Sequence, residues 1–163
     1  MGMKTIQLTN GGEAFVDDED YSLLSRHKWR KMKNNNVWYV VAPFTSNSKI
    51  TMHKIVMGSK AGYIVDHIDR NGLNNQKSNL RFSTASHNAM NSRKHPNCSS
   101  KFKGVYWCPS HGTWMSYIVA NKKKHYVGSF KSELEAARAW NNAAKKFHGQ
   151  FAYLNTLPDK EAK

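Results

Sequence analysis

The chain has 163 residues, and its 25 Lys and Arg against 11 Asp and Glu leave a formal net charge of +14 before any histidine is counted, with a pI near 9.9. Hydrophobic residues make up 39% and aromatic residues 12%, enough for one or two small cores and far from the composition of a disordered tail. No apolar run approaches the roughly 20 residues that span a bilayer, and the first residues lack the apolar stretch of a secretory signal, so a cytoplasmic protein without membrane association is expected. Cys98 and Cys108 form neither a disulfide framework nor a C-x-x-C zinc pair. A positive surplus interleaved with five Trp and seven Tyr suits a polyanion that also offers flat rings, namely nucleic acid.

In chain order, residues 1–50 read as a β-rich segment around one short helix. Thr5 to Leu8 alternates before the turn signal Asn10-Gly11-Gly12, and Asn34-Asn35-Asn36 separates Trp29 from the strand-like Val37-Trp38-Tyr39-Val40-Val41. The run Asp17-Asp18-Glu19-Asp20 ahead of Tyr21, Leu23 and Leu24 reads as the acidic first turn of a helix, where carboxylates complement the helix dipole. Residues 51–93 predict strand, loop, strand and helix, from Tyr63-Ile64-Val65, the turn-rich Asp69 to Asn75, Leu80-Arg81-Phe82 and then Thr84 to Ser92. Residues 94–101 are a polar, basic linker with Pro96 to stop the helix.

Residues 102–156 predict a three-stranded antiparallel sheet covered by one helix, with a tail over 157–163. The strand-length segments are Gly104 to Trp107, Trp114 to Val119 and His125 to Phe130. Ser132 with Glu135 forms an S-x-x-E capping box, and Ala136, Trp140, Ala143 and Phe147 recur at helical spacing until Gly149. The fold class is therefore α+β.

Asp66-His67 is the sharpest chemical signal, because a carboxylate beside an imidazole offers a metal ligand and a general base in one short stretch. Neighbouring strand residues point to opposite faces, so the two can share a site only where the strand ends or bends. Asn79 lies twelve residues after His67 and Asn88 twenty-one after it.

Met52-His53-Lys54-Ile55-Val56-Met57, Val65-Asp66-His67-Ile68-Asp69-Arg70-Asn71, Leu73-Asn74-Asn75, Ser78-Asn79-Leu80-Arg81 and Asn88-Ala89-Met90-Asn91 together resemble the HNH (His-Me finger) nucleases of phages and homing elements. The resemblance implies a ββα-metal finger in which Asp66 and Asn88 hold one divalent cation, His67 is the general base, Asn79 pins the loop and His53 is accessory. A carboxylate and an amide are hard oxygen donors, which favour Mg2+ (or Mn2+), one per active site.

Lys103-Gly104-Val105, Trp114 to Ile118, Val127-Gly128-Ser129-Phe130, Glu135 to Trp140, Ala143-Ala144 and Gly149 through Leu154-Asn155 resemble the AP2/ERF DNA-binding domain. That resemblance implies a sheet face that enters the major groove of double-stranded DNA while the helix supports its back. Lys103, Tyr106, Tyr117, Lys124 and Tyr126 are the outward candidates, Trp114, Ile118 and Val127 face the helix, and Lys122 and Lys123 suit phosphate contacts. Tyr106, Cys108, Val119 and Lys124 stand where the plant family uses base-reading Arg, so its base preference does not transfer.

The expected function is a metal-dependent DNA endonuclease, of homing type, acting in a bacterial or phage-infected cell and leaving 5′-phosphate and 3′-hydroxyl ends, with no protein partner implied. The alternatives are a non-catalytic repressor or transcription factor that grips duplex DNA through the sheet, and an RNA binder that uses its exposed rings.

Overall fold

A computed structural model describes residues 2–34, 37–43, 45, 48–92, 94 and 98–158. Asn35 and Asn36 of the predicted turn, Arg93 at the end of the 51–93 segment, His95, Pro96 and Asn97 of the predicted linker, and the end of the tail lie outside the described residues. The chain divides into two compact units, Met1–Asn88 and Ala89–Lys163. Among the described residues the architecture is mixed, with four α-helices and several small antiparallel sheets, and no helix is long and apolar enough to cross a membrane.

In the first unit, β1 (Met3–Gln7) and β2 (Glu13–Asp17) form an antiparallel hairpin. Its turn needs Gly11 and Gly12, both at φ 85°, a region that side chains with a Cβ avoid. The acidic run then opens α1 (Asp18–Leu24), with Asp18, Glu19 and Asp20 in its first turn. β3 (Arg30–Asn34), β4 (Val37–Pro43) and β5 (Lys49–Thr51) make an antiparallel sheet in that order. Ile6, Leu8, Ala14, Val16, Leu24, Trp29, Val40, Ala42 and Met52 form the core. The Trp29 indole N–H, which burial would otherwise strand, donates to the Leu24 carbonyl at 2.7 Å.

Met52–Met57, which carries no helix prediction, forms α2. It is a short helix whose Met52 is buried and whose Ile55 and Val56, three and four residues on, lean on the same core until Gly58 at φ 72° ends it. β6 (Ile64–His67) pairs antiparallel with β7 (Leu80–Ser83), placing Asp66 opposite Arg81 and His67 opposite Leu80. α3 (Ala85–Asn91) follows, its first turn capped where the Thr84 hydroxyl accepts the His87 N–H at 3.2 Å.

The second unit holds β8 (Val105–Cys108), β9 (Thr113–Ala120) and β10 (Lys123–Phe130) as an antiparallel sheet with β9 central, and α4 (Glu133–His148) packs on one face. Ser132 caps α4 by accepting the Leu134 N–H at 3.2 Å, and Glu133 in the first turn receives the Ser100 hydroxyl at 2.7 Å. The buried stripe of α4 is Ala136, Ala137, Trp140, Ala144 and His148; of the predicted row, Ala136 and Trp140 are buried and Ala143 packs partly buried against the same core, whereas Phe147 does not. Steps of four residues from Trp140 lead to Ala144 and His148, which leaves Phe147 at 42% exposure, stacked on His125. Gly104 has φ 74°, and a Cβ there would overlap the Trp140 indole, whose N–H donates to the Tyr117 carbonyl at 3.1 Å.

Candidate functional site

β6 ends at His67, and the two adjacent residues Asp66 and His67 are both buried, at 6% and 5% exposure. Hairpin register places Arg81 across from Asp66, and its guanidinium Nε and Nη2 donate to Oδ2 at 3.0 and 2.8 Å. Among the described residues the His67 ring meets neighbours from separate parts of the chain. Its Nε2 lies 3.3 Å from Asn75 Oδ1. The His53 ring, carried by α2, stands perpendicular to it at 5.1 Å between centroids, and the Tyr39 ring from β4 lies at 6.0 Å.

The segment between β6 and β7 is built from asparagines and one aspartate that satisfy its backbone in place of a regular ladder. Asn79, buried to 8%, accepts the Asp69 N–H at 3.0 Å and donates to Asp69 Oδ1 at 2.9 Å and to the Asn74 carbonyl at 2.8 Å. Asp69 receives the Asn71 N–H and the Asn74 side-chain amide at 2.7 and 3.0 Å. β2 then holds the loop from outside. The Phe15 N–H donates to the Leu73 carbonyl at 2.9 Å, and the Asn75 N–H donates to the Phe15 carbonyl at 2.7 Å, a parallel bridge about Asn74. Gly72 packs so closely on β4 that a Cβ would overlap the Trp38 carbonyl.

Burial dominates the electrostatics. It lowers the His53 pKa to about 3, with His67 and Lys54 adding to the effect. The His67 pKa is lowered by the same desolvation, which outweighs the opposing pull of Asn75, Asp69 and Asp66. Burial and the Asp66 charge raise that of Tyr39. Both imidazoles are therefore neutral near pH 7. His53 Nε2 pairs with the Thr51 hydroxyl at 3.1 Å, while its buried Nδ1 has no hydrogen-bond partner among the described residues.

The structure thus sets His53 against His67, keeps Asp66 next to His67 in β6 and paired with Arg81, and puts Asn79 at the root of the adjoining loop. Asn88 is exposed on α3, where its N–H donates to the Thr84 carbonyl at 2.9 Å. Among the described residues no group of three or more His, Cys, Asp or Glu is gathered for a metal ion. The Asp66 carboxylate and the Asn88 amide are each hard oxygen donors, the donor type of a cation such as Mg2+, which keeps several waters and needs few protein ligands. Arg81, Asn75 and Tyr39 were not singled out from the sequence. Arg81 was recoverable from hairpin register, but Asn75 looks like any turn asparagine, and Tyr39 arrives from a strand distant in sequence.

In the second unit, Tyr106, Tyr117 and Tyr126 form a row across the three strands on the face away from α4, at 5.3 and 5.2 Å between ring centroids. The Lys124 ammonium sits 4.1 Å above the Tyr117 ring. Lys122 and Lys123 are exposed, at the turn where Asn121 and Lys122 take φ 51° and 61°. Lys103 is not part of that row. Its ammonium donates to the Met90 and Ser92 carbonyls at 2.8 and 2.6 Å, just where α3 ends, and its N–H to Asn155 Oδ1 at 2.7 Å.

A family model described as HNH endonuclease matches residues 56–90, the span that holds Asp66, His67, Asn79 and Asn88. A protein of Acanthamoeba polyphaga mimivirus, named an uncharacterized HNH endonuclease, is 32% identical over 153 residues, which cover 90% of this chain and 76% of that protein. Protein 3.8 of Escherichia phage T7 is 34% identical over 93 residues, covering 56% of this chain and 74% of its own length. An AP2-like ethylene-responsive transcription factor of Arabidopsis thaliana is 42% identical over 59 residues, covering 35% of this chain and 10% of its own length, a likeness that falls on the C-terminal part. No solved structure matches. The mimivirus relative matches nearly the whole chain, and the family span coincides with the buried Asp66–His67 cluster; the chain belongs to the HNH endonuclease family and carries an AP2-like C-terminal part.

Proposed function

We propose that this protein is a metal-dependent endonuclease of homing type that hydrolyses phosphodiester bonds of double-stranded DNA at a preferred site. Residues 51–93 would form the ββα-metal finger and 102–156 the DNA-gripping domain. The observation that carries the reading is the burial of a carboxylate and an imidazole side by side at the end of β6. His67, neutral near pH 7, takes a proton from the attacking water. The water oxygen bonds to phosphorus, the bond from phosphorus to the 3′ oxygen breaks, and that oxygen leaves as a 3′-hydroxyl after protonation from solvent. The other end keeps a 5′-phosphate. Asp66 and Asn88 would hold a single Mg2+ or Mn2+, which when bound supplies positive charge to the phosphate and to the leaving oxygen. Arg81 keeps the Asp66 carboxylate oriented, and Asn79 holds the loop that follows His67. Tyr106, Tyr117, Tyr126 and Lys124 would face the duplex, with Lys122 and Lys123 on phosphates.

The deciding experiment is plasmid nicking in Mg2+ by the parent and by His67→Ala. Loss of a positioned general base lowers the rate by about 10²–10⁴-fold. Equal rates in the two proteins would remove the assignment. Salt-sensitive duplex binding with no nicking in either Mg2+ or Mn2+ would instead support a non-catalytic DNA-binding protein.

A further inference from the structure

We propose that Asn75 is a positioning residue that fixes His67 as the tautomer carrying its proton on Nε2, and that the N-terminal strand β2 is what sets Asn75. The inference rests on reading His67 as the base, but it concerns where a proton sits and can fail separately.

The argument turns on which atoms can only accept. Asn75 has no exposed surface, so its amide must find partners inside the protein. At one end lies the Gly72 carbonyl, 3.4 Å from Nδ2, and a carbonyl cannot donate. The amide nitrogen therefore faces Gly72, and Oδ1 faces His67 Nε2 at 3.3 Å. An amide oxygen also only accepts, so Nε2 must be the protonated nitrogen. Both contacts are long, and it is their opposed chemistry that decides the orientation. The lone pair then belongs to Nδ1, the nitrogen able to take a proton. Turning the ring over would bury the Asn75 oxygen against a carbon, and the perpendicular His53 ring packs against the imidazole in the observed orientation.

Asn75 is itself held by backbone. Its N–H donates to the Phe15 carbonyl, and Phe15 donates back to the Leu73 carbonyl, so β2 grips the loop on both sides of Asn74. The close approach of Gly72 to Trp38 fixes the carbonyl that orients the amide. The N-terminal hairpin thereby controls the protonation pattern of an imidazole some fifty residues further along the chain. A second-sphere partner of this kind also keeps a histidine in its working orientation.

The test is a long-range proton–nitrogen correlation spectrum of the full-length, nitrogen-15-labelled protein above the histidine titration range. His67 is assigned by its disappearance in His67→Gln. The expected result is a proton on Nε2 in the parent and in Asn75→Asp, which keeps an acceptor. In Asn75→Leu, of similar size but without one, a tautomer mixture and a nicking rate about tenfold lower are expected. A proton on Nδ1 in the parent overturns the inference, as does an unchanged tautomer in Asn75→Leu or, where the parent nicks, an unchanged nicking rate in that variant. If that variant does not fold, the parent spectrum still decides. Nε2 protonation without any nicking would retain the positioning device and discard the nuclease reading. Nicking with Nδ1 protonated would do the reverse.

Discussion

The Asp17 carboxylate, at the end of β2, accepts the Lys77 backbone N–H at 2.7 Å across sixty residues of chain. Its other oxygen receives the Gln76 side-chain amide at 3.1 Å. An acid that could have capped α1 is therefore spent on the turn before β7, and α1 has no side-chain cap from it. Asp17→Ala removes the charged acceptor of this part-buried hydrogen bond, which costs about 1–3 kcal/mol. Hydrogen exchange at residues 68–79 is expected to speed up in this variant while that of α4 stays unchanged.

Asp66 and Arg81 are both largely buried, so their attraction is weakly screened but neither tolerates losing its partner. Arg81→Leu should destabilise the first unit by about 3–5 kcal/mol, measured by urea unfolding, because the buried Asp66 carboxylate loses the guanidinium that faces it. Adding Asp66→Leu to that variant should recover much of the loss. A single-variant cost equal to that of an exposed pair, under about 1 kcal/mol, would contradict the buried geometry.

His53 binds fewer protons in the folded protein than in the unfolded chain, because burial holds its pKa at about 3 against an ordinary value near 6.5. Its contribution to stability is complete above pH 6.5 and is lost as pH falls from there toward 3, by up to about 1.4 kcal/mol per pH unit. His53→Gln should unfold with a shallower dependence between pH 6.5 and 5. The depressed His67 and His148 titrations leave a residual slope of the same sign in the variant.

Gly104→Ala tests the packing of the second unit. The substitution adds a Cβ both at φ 74° and on the Trp140 indole, so a loss of at least about 2 kcal/mol is expected. Phe147→Ala, on the exposed side of α4, should cost less, and thermal unfolding of the pair ranks the two faces of the helix.

If the tyrosine row meets duplex DNA, Lys122→Ala and Lys123→Ala should each weaken binding evenly across sequences and lower the salt slope by about 0.9. Tyr126→Ala, which removes a 56% exposed ring, should weaken binding with the slope unchanged. Lys103→Ala should act on stability instead, since its ammonium is spent on the Met90 and Ser92 carbonyls. Fluorescence anisotropy over a salt series separates these outcomes.

Local pattern carried much of the secondary structure. Period-two alternation marks β8 to β10, the serine ahead of Glu133 marks the start of α4, and the Tyr63-Ile64-Val65 and Leu80-Arg81-Phe82 runs mark β6 and β7. α2 escaped because six residues with a histidine and a lysine among them look neither helical nor extended until Met52 finds a core to enter. The end of the α4 row shifted for a related reason: spacing defines a stripe, but the sheet beneath selects which neighbouring stripe is buried.

By itself the sequence determined the adjacency of Asp66 and His67, the spacing to Asn79 and Asn88, the positive charge and the strands and helix of the C-terminal part, because these depend only on neighbours along the chain. The tertiary structure alone decided that Tyr39, His53 and Asn75 converge around His67 with Phe15 holding Asn75, that Arg81 rather than solvent faces Asp66, and that Lys103 serves the end of α3. Those pairings join residues distant along the chain, and the desolvation that sets the histidine pKa values exists only once the surrounding elements have closed over them.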